Sequence, residues 1–265
     1  MNQTEEVLVS IVMPSYNAEK LIGRTIESVL SQSYVYWELL VIDDCSKDST
    51  RDVVNDFVKH DSRIRLIALD KNNGAPATPR NIGVGEAKGE WVAFLDADDI
   101  WHPKKLEVQL HSMAELNVPF SSSLSRNFKD DKGIYNDEVD DAPAYENITF
   151  AMQRFKGRIA NSSVVVRRDL LLKYPFNEDI RYKAVEDYHC WLRIHKEIGY
   201  SIKVQSVLLN YRIVEGQISG SKLYMLKTMF MLHQEFSGSS LFKAILFTIS
   251  HAVGGFINKF VKRGF

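Results

Sequence analysis

The sequence predicts an α/β fold: a doubly wound, mainly parallel sheet flanked by helices. Two observations in the first hundred residues lead there. Short apolar, β-branched runs alternate with ten- to fifteen-residue stretches whose apolar side chains recur every three or four positions, and each run stops at polar or acidic residues. A third is compositional. With 265 residues, 45% hydrophobic and 25% charged, the chain can bury a sizeable core, which excludes wholesale disorder, collagen and coiled coil.

Val9 to Met13 is the first strand, ended by Pro14, and Asn17 is placed to cap a helix with Leu21, Ile22, Ile26, Val29 and Leu30 on one face. Glu38 to Ile42 is the second strand. Ser46 to Thr50 offers caps for a helix carrying Val53, Val54, Phe57 and Val58. Ile64 to Leu69 is a third strand, 79–88 a short helix, and Trp91 to Leu95 a fourth strand that runs into acids. Pro103 suits the first turn of a helix that keeps Leu106, Leu110, Met113 and Leu116 inward. Residues 119–124 and 162–167 read as strands, the acidic stretch between them as a mobile loop, Glu186 to Ile198 as a helix and 202–211 as the strand that closes the sheet. There is no internal repeat, so residues 1–220 are expected to form one unit, with a 7–100 half and a 101–220 half, followed by a helical tail over 221–265.

The formal net charge of −1 gives no global basic field for nucleic acid. The charge is uneven, however: residues 129–146 hold seven acids and two bases, while 241–265 holds Lys243, Lys259, Lys262 and Arg263 with no acid. Cys45 and Cys190 are too few for a secreted disulfide framework and fit a reducing cytoplasm. The start, MNQTEEVLVS, carries acids where a signal peptide needs positive charge, and the longest nearly uncharged apolar stretch, 244–257, falls short of the roughly 20 residues of a spanning helix.

In a doubly wound sheet, ligands bind beyond the carboxyl ends of the strands, and the chemistry-bearing residues cluster there: Pro14 to Asn17, Asp43 and Asp44, Asp96 to Asp99. Asp96 and Asp98 are two apart, so continued strand geometry projects both carboxylates to one side. Hard cations such as Mg²⁺ or Mn²⁺ are held by one or two carboxylates while substrate phosphates complete the shell. Asp43 and Asp44 read either as helix caps or as ligand acceptors. Tyr16 is either a ring for stacking on a base or a half-buried tyrosine, and Arg80 either a diphosphate contact or an ordinary solvent-facing arginine. Glu186 and Asp187 open a helix far along the chain, where a carboxylate serves as a general base or merely complements the helix dipole. His189 could approach a cation but is expected to pack, and Arg212 could reach phosphate or form a salt bridge.

These residues carry a family resemblance. The blocks VSIVMPSYNAEKLIGRTIESVLSQSYVYWELLVIDDCSKDST and PRNIGVGEAKGEWVAFLDADDIWHPKKL, then more loosely VEDYHCWLR and NYRIVEGQIS, are similar to glycosyltransferase family 2, the inverting nucleotide-sugar transferases of GT-A fold, and among them to bacterial enzymes of teichuronic acid, capsule or lipopolysaccharide assembly. The resemblance implies a UDP-sugar donor, a glycan or lipid-linked acceptor, and Mn²⁺ or Mg²⁺. By the same resemblance Pro14, Tyr16 and Asp44 line the nucleoside pocket, Arg80 and Asp96 lie by the donor, Asp96 and Asp98 form the metal pair, and Asp187 is the base. The chain lacks the Gln-x-x-Arg-Trp signature of processive synthases, which favours transfer of a single sugar. Cys45 stands where the family more often has Gly or Asn.

Two other functions compete: a sugar-nucleotide nucleotidyltransferase, which would need a Gly-rich phosphate loop where this chain has MPSYNAEK, and a non-catalytic nucleotide-sugar binder. In the tail, Phe242, Ile245, Ile249, Val253, Phe256 and Phe260 step by three or four into one apolar stripe beside four basic residues. That pattern suits a membrane surface, at the inner face of the cytoplasmic membrane; packing on protein is the alternative.

Overall fold

The computed structural model describes residues 7–130, 134, 137–140, 142–214, 222–238 and 240–260, with side chains at all of these except 222, 223, 252 and 254–260. Most of the stretch 131–141, expected to be a mobile loop, and Lys262 and Arg263 of the tail therefore lie outside the described residues, as do the side chains of Phe256, Lys259 and Phe260.

Four parallel strands open the chain: β1 (Val9–Ser15), β2 (Trp37–Asp43), β3 (Ile64–Ala68) and β4 (Trp91–Phe94), in the spatial order β3-β2-β1-β4. The crossovers are α1 (Ile22–Leu30), α2 (Thr50–His60) and α3 (Ala77–Glu86). Beyond β4 the sheet becomes mixed. After β5 (Ile100–Trp101) and α4 (Lys105–Leu116) come β6 (Phe120–Phe128), β7 (Tyr145–Thr149), α5 (Phe150–Phe155), a 3-10 turn at Asn161–Ser163, β8 (Val165–Arg167), α6 (Arg168–Lys173), a second 3-10 turn at Ile180–Tyr182, α7 (Glu186–Ile198) and β9 (Tyr200–Arg212). β8 joins β4 antiparallel, β6 and β9 follow, and β5 and β7 both pair with β9. Helices α8 (Lys222–Phe236) and α9 (Leu241–Phe260) form the tail.

The first strands are continuous apolar runs because both of their faces are covered. Val9, Ile11 and Met13 pack with Ile22, Ile26 and Val29 of α1, whereas Val12 packs on the other face with Leu40, Ile42, Phe94, Val84 and Trp191. Helix α3 lies very close to β1: a Cβ added at Gly83 would sit 2.4 Å from Val12 Cγ1, so only glycine permits this approach. Since β2 flanks one side of β1 and β4 the other, the crevice of the sheet opens between the carboxyl ends of β1 and β4.

The 186–198 helix appears at the expected bounds, and the 119–124 strand runs on to Phe128. The 162–167 strand is shorter than expected, split into a 3-10 turn and three residues of β8. Asn17 does not cap α1. It adopts a left-handed φ of +50° and its Oδ1 accepts Lys47 N–H at 2.8 Å, so the helix begins five residues later, at Ile22, after a turn closed by Leu21 N–H to Ala18 O. The polar side chain is drawn to the neighbouring β2–α2 loop instead.

Candidate active site

Strand β4 stays in register with β1 as far as Leu95, whose N–H donates to Val12 O at 3.1 Å, and the acidic loop begins immediately after it. Each turn of that loop is held from elsewhere. Asp96 N–H donates to Ser162 Oγ (3.1 Å), Thr25 Oγ1 donates to Ala97 O (3.0 Å), and Asp99 N–H closes a turn on Asp96 O (3.1 Å). Arg212, at the end of β9, clamps the far side: its N–H donates to Asp99 Oδ1 and its Nε to Asp98 O, both at 2.9 Å. The outcome is a fixed loop in which Asp96 and Asp98 keep part of their surface open while Asp99 is buried.

Burial, then the charge of Asp96, pushes the Asp98 carboxyl up to about 6, with Arg212 pulling the other way. Burial and the charges of Asp98 and Asp96 raise Asp99 as well. Crowded carboxylates short of positive charge are a fitting half-shell for a divalent cation. Among the described residues no three His, Cys, Asp or Glu side chains converge into a complete cage, so the remaining ligands would have to be phosphate and water oxygens. The donor set, hard oxygens only, suits Mg²⁺ or Mn²⁺.

Arg80 is not a solvent-facing arginine. It is 4% exposed on α3, with Nη2 donating to Asp96 Oδ1 at 2.8 Å and Nη1 donating to Glu186 Oε1 at 2.7 Å. Burial works against its charge, but Asp96, Glu186 and Asp187 more than offset this and hold it firmly protonated. A single guanidinium thus joins the loop after β4 to the first turn of α7, segments 90 residues apart, and Asp187 lies within electrostatic reach of Asp96. Asp187 is half-buried and keeps part of its surface open. Burial and the neighbouring Glu186 charge raise its carboxyl to about 7, against the pull of Arg80.

The side of the crevice expected to receive a nucleoside is assembled from two loops tied together by Asp44 N–H donating to Ser15 O at 2.8 Å. Tyr16 is 49% exposed there, next to the half-buried Pro14. The two adjacent aspartates have separate fates. Asp43 is fully buried and accepts from Ser46 N–H, Ser46 Oγ and Arg51 Nε, an internal fastening of the β2–α2 loop. Asp44, also buried, accepts from Asn73 N–H (3.0 Å) and Asn73 Nδ2 (2.6 Å), which fixes its carboxylate against the 72–74 turn. Neither caps α2: its N-cap residue, Ser49, makes no side-chain cap hydrogen bond, and Asp48, one residue earlier, accepts Thr50 N–H at 3.0 Å.

Asn73 and Tyr211 carried no functional expectation. The Asn-Asn-Gly run at 72–74 signals a turn, but only folding shows that Asn73 holds Asp44. Tyr211, the residue before the end of β9, is half-buried, and burial followed by the charges of Asp99, Asp96, Asp98 and Asp187 raises its phenol. His189 packs, as expected: Nε2 lies 3.1 Å from Glu235 Oε1, between the rings of Tyr182 and Phe236.

This arrangement has relatives. The family described as Glycosyl transferase family 2 matches residues 10–171. The chain belongs to that family. It is 34% identical over 247 residues to TuaG of Bacillus subtilis, named for teichuronic acid biosynthesis, covering 92% of this chain and 94% of that one. It is 40% identical over 226 residues, 84% of each chain, to WfgD of Escherichia coli, a UDP-Glc:α-D-GlcNAc-diphosphoundecaprenol β-1,3-glucosyltransferase. Among solved structures, residues 1–349 of Staphylococcus aureus TarS in complex with UDP-GlcNAc superpose with a TM-score of 0.69 at 20% identity, covering 95% of this chain and 73% of that one. In a longer TarS structure this chain spans 39% of the length. The mannosyltransferase PcManGT of Pyrobaculum calidifontis, solved with GDP-Man and Mn²⁺, gives 0.61 at 20% identity, covering 91% of this chain and 68% of that one. The fold is therefore that of GT-A glycosyltransferases, and membership of the family displaces the nucleotidyltransferase alternative.

Proposed function

We propose that this chain is an inverting transferase that moves one sugar from a UDP-sugar to a hydroxyl of a lipid-linked glycan during cell-surface polysaccharide synthesis, with Asp187 as general base. The observation that carries the reading is the Arg80 bridge, which couples the Asp96 loop to the turn bearing Asp187. Residues 1–220 form the catalytic unit in this reading, and 221–265 the tail. The acceptor class follows the printed name of WfgD, and such an acceptor would bring the chain to the inner face of the cytoplasmic membrane.

Pro14, Tyr16 and Asp44 receive the nucleoside: the exposed Tyr16 ring offers a stacking face, and Asp44, oriented by Asn73, accepts from the base. Asp98 and Asp96 would hold a Mn²⁺ or Mg²⁺ ion that neutralises the donor diphosphate and its growing charge as UDP leaves. Arg80 keeps Asp96 oriented through one arm and steadies Glu186 through the other. The acceptor oxygen forms its bond to the anomeric carbon from the face opposite UDP, the bond from that carbon to the UDP oxygen breaks, and the acceptor proton passes to Asp187. A carboxyl near 7 suits this step, because it is substantially ionised at neutral pH yet basic enough to accept a proton.

UDP release is measured with a panel of UDP-sugars, with and without a GlcNAc-diphospholipid acceptor, and with and without EDTA, and the anomeric configuration of the product is read by NMR. Asp187→Asn is expected to keep nucleotide binding while transfer falls at least about a hundredfold. A fully active Asn variant would remove Asp187 from the mechanism. Donor binding without acceptor-dependent release from any sugar would favour a non-catalytic binder.

A further inference from the structure

Helix α9 has two faces of opposite character. The inner face is anchored: Ala244 and Thr248 are buried, Phe247 lies under the Arg154 guanidinium at 3.8 Å, Ser250 Oγ donates to Phe155 O at 2.6 Å, and His251 Nε2 accepts Gly157 N–H at 2.7 Å. The opposite face presents Leu241, Phe242, Ile245, Leu246, Ile249 and Val253 to solvent, with Phe242 75% and Ile249 55% exposed. Six large apolar side chains in one row exceed the scattered exposure ordinary for a surface helix. Among the described residues no helix is long and apolar enough to cross a membrane, so this row suits an interface and not a span.

We propose that the outer face of α9 is a docking surface for an anionic lipid bilayer. Charge selects this occupant. The chain as a whole is nearly neutral at −1, yet residues 241–265 carry four basic residues and no acid, with Lys243 exposed beside the row. Two copies of this segment would carry eight basic residues and no acid between them, whereas anionic headgroups complement such a charge. The row also stands on a helix whose other side is already packed on α5 and α8, so its apolar face is free to lie in a headgroup layer. The inference is independent of the transfer reading, because binding is measured without donor or acceptor.

The test uses the full chain in flotation with phosphatidylcholine vesicles, with and without phosphatidylglycerol, at low and high salt. Binding is expected on phosphatidylglycerol-containing vesicles, at least about tenfold weaker on phosphatidylcholine alone and weakened by salt. The double substitution Phe242→Glu, Ile249→Glu, at exposed positions, is expected to lower binding about a hundredfold or more while thermal melting and UDP binding stay unchanged. Should that protein fail to fold, Lys243→Glu is the second arm, with binding lowered about fivefold or more. No binding by the unsubstituted chain, equal binding by the folded variants, or sedimentation as a dimer that Phe242→Glu dissociates would each overturn the proposal.

Discussion

Replacing Arg80 with methionine tests whether the loop after β4 and the start of α7 share one electrostatic system. In the folded chain the guanidinium is 4% exposed and gives one arm to Glu186 at 2.7 Å and the other to Asp96 at 2.8 Å. Removing one partner from a buried charge set costs about 3–5 kcal/mol, because the carboxylates left behind face each other without a counter-charge. The same positive charge opposes the burial and the Glu186 repulsion that raise Asp187 to about 7. One pH unit corresponds to about 1.4 kcal/mol, so losing that much of Arg80's attraction moves the Asp187 midpoint up by about one unit. A general base acts deprotonated. Activity should therefore rise with pH through about 7 in the unsubstituted protein, and the rising limb should move about one unit higher in Arg80→Met. Arg80→Lys keeps the charge but loses one arm. It should cost about 1.5–3 kcal/mol in stability while the limb returns close to its original position. The assays are urea denaturation and the pH dependence of kcat/KM for UDP release. A folded Arg80→Met protein with an unshifted limb would refute the coupling.

Asp98→Ala should weaken metal-dependent UDP binding in calorimetry and leave metal-free binding alone; an affinity in the presence of metal equal to that of the unsubstituted protein would remove Asp98 from the ion. Gly83→Ala should destabilise the fold by about 1–3 kcal/mol, since the new methyl meets the fully buried Val12, and an unchanged denaturation midpoint would contradict the close packing of α3 on β1. His233 is buried against His251, and burial lowers it to about 3 from an ordinary 6.5. The unfolded chain therefore takes up the proton first as pH falls. Stability from this residue is complete above about 6.5 and declines on acidification, by on the order of 2 kcal/mol at pH 5. His233→Phe should flatten that part of the pH profile of melting, and an unaltered slope would count against the assignment.

The parts legible from sequence alone were those with local causes. Strands β1 to β4, with both faces covered, read as apolar runs, and α7 read at its correct bounds because its apolar period and acidic first turn are confined to the segment. Asn17 went astray for the opposite reason. A short polar side chain can satisfy the helix start that follows or a loop from elsewhere, and here it accepts Lys47 N–H from the β2–α2 loop. Helices α5 and α6, six residues each, and the edge strand β7 are too short for a periodic signal and depend on the neighbours that cover them. Asp43 and Asp44 stand at the strand end as the sequence indicates, but the partner each of them takes, Arg51 for Asp43 and Asn73 for Asp44, is set only by folding.

The sequence by itself determined the family, the alternation of strand and helix, and the placing of acids at strand ends, since all three are written in the order and period of residues along the chain. Only the tertiary structure decided what those acids meet. Arg80 becomes a buried bridge because α3 and α7 converge on the carboxyl end of β4, and the outward face of α9 is left bare because its inner face is taken by α5 and α8. A charge or an apolar surface acquires its role from the distance to groups far away in sequence, and that distance exists only once the chain is folded.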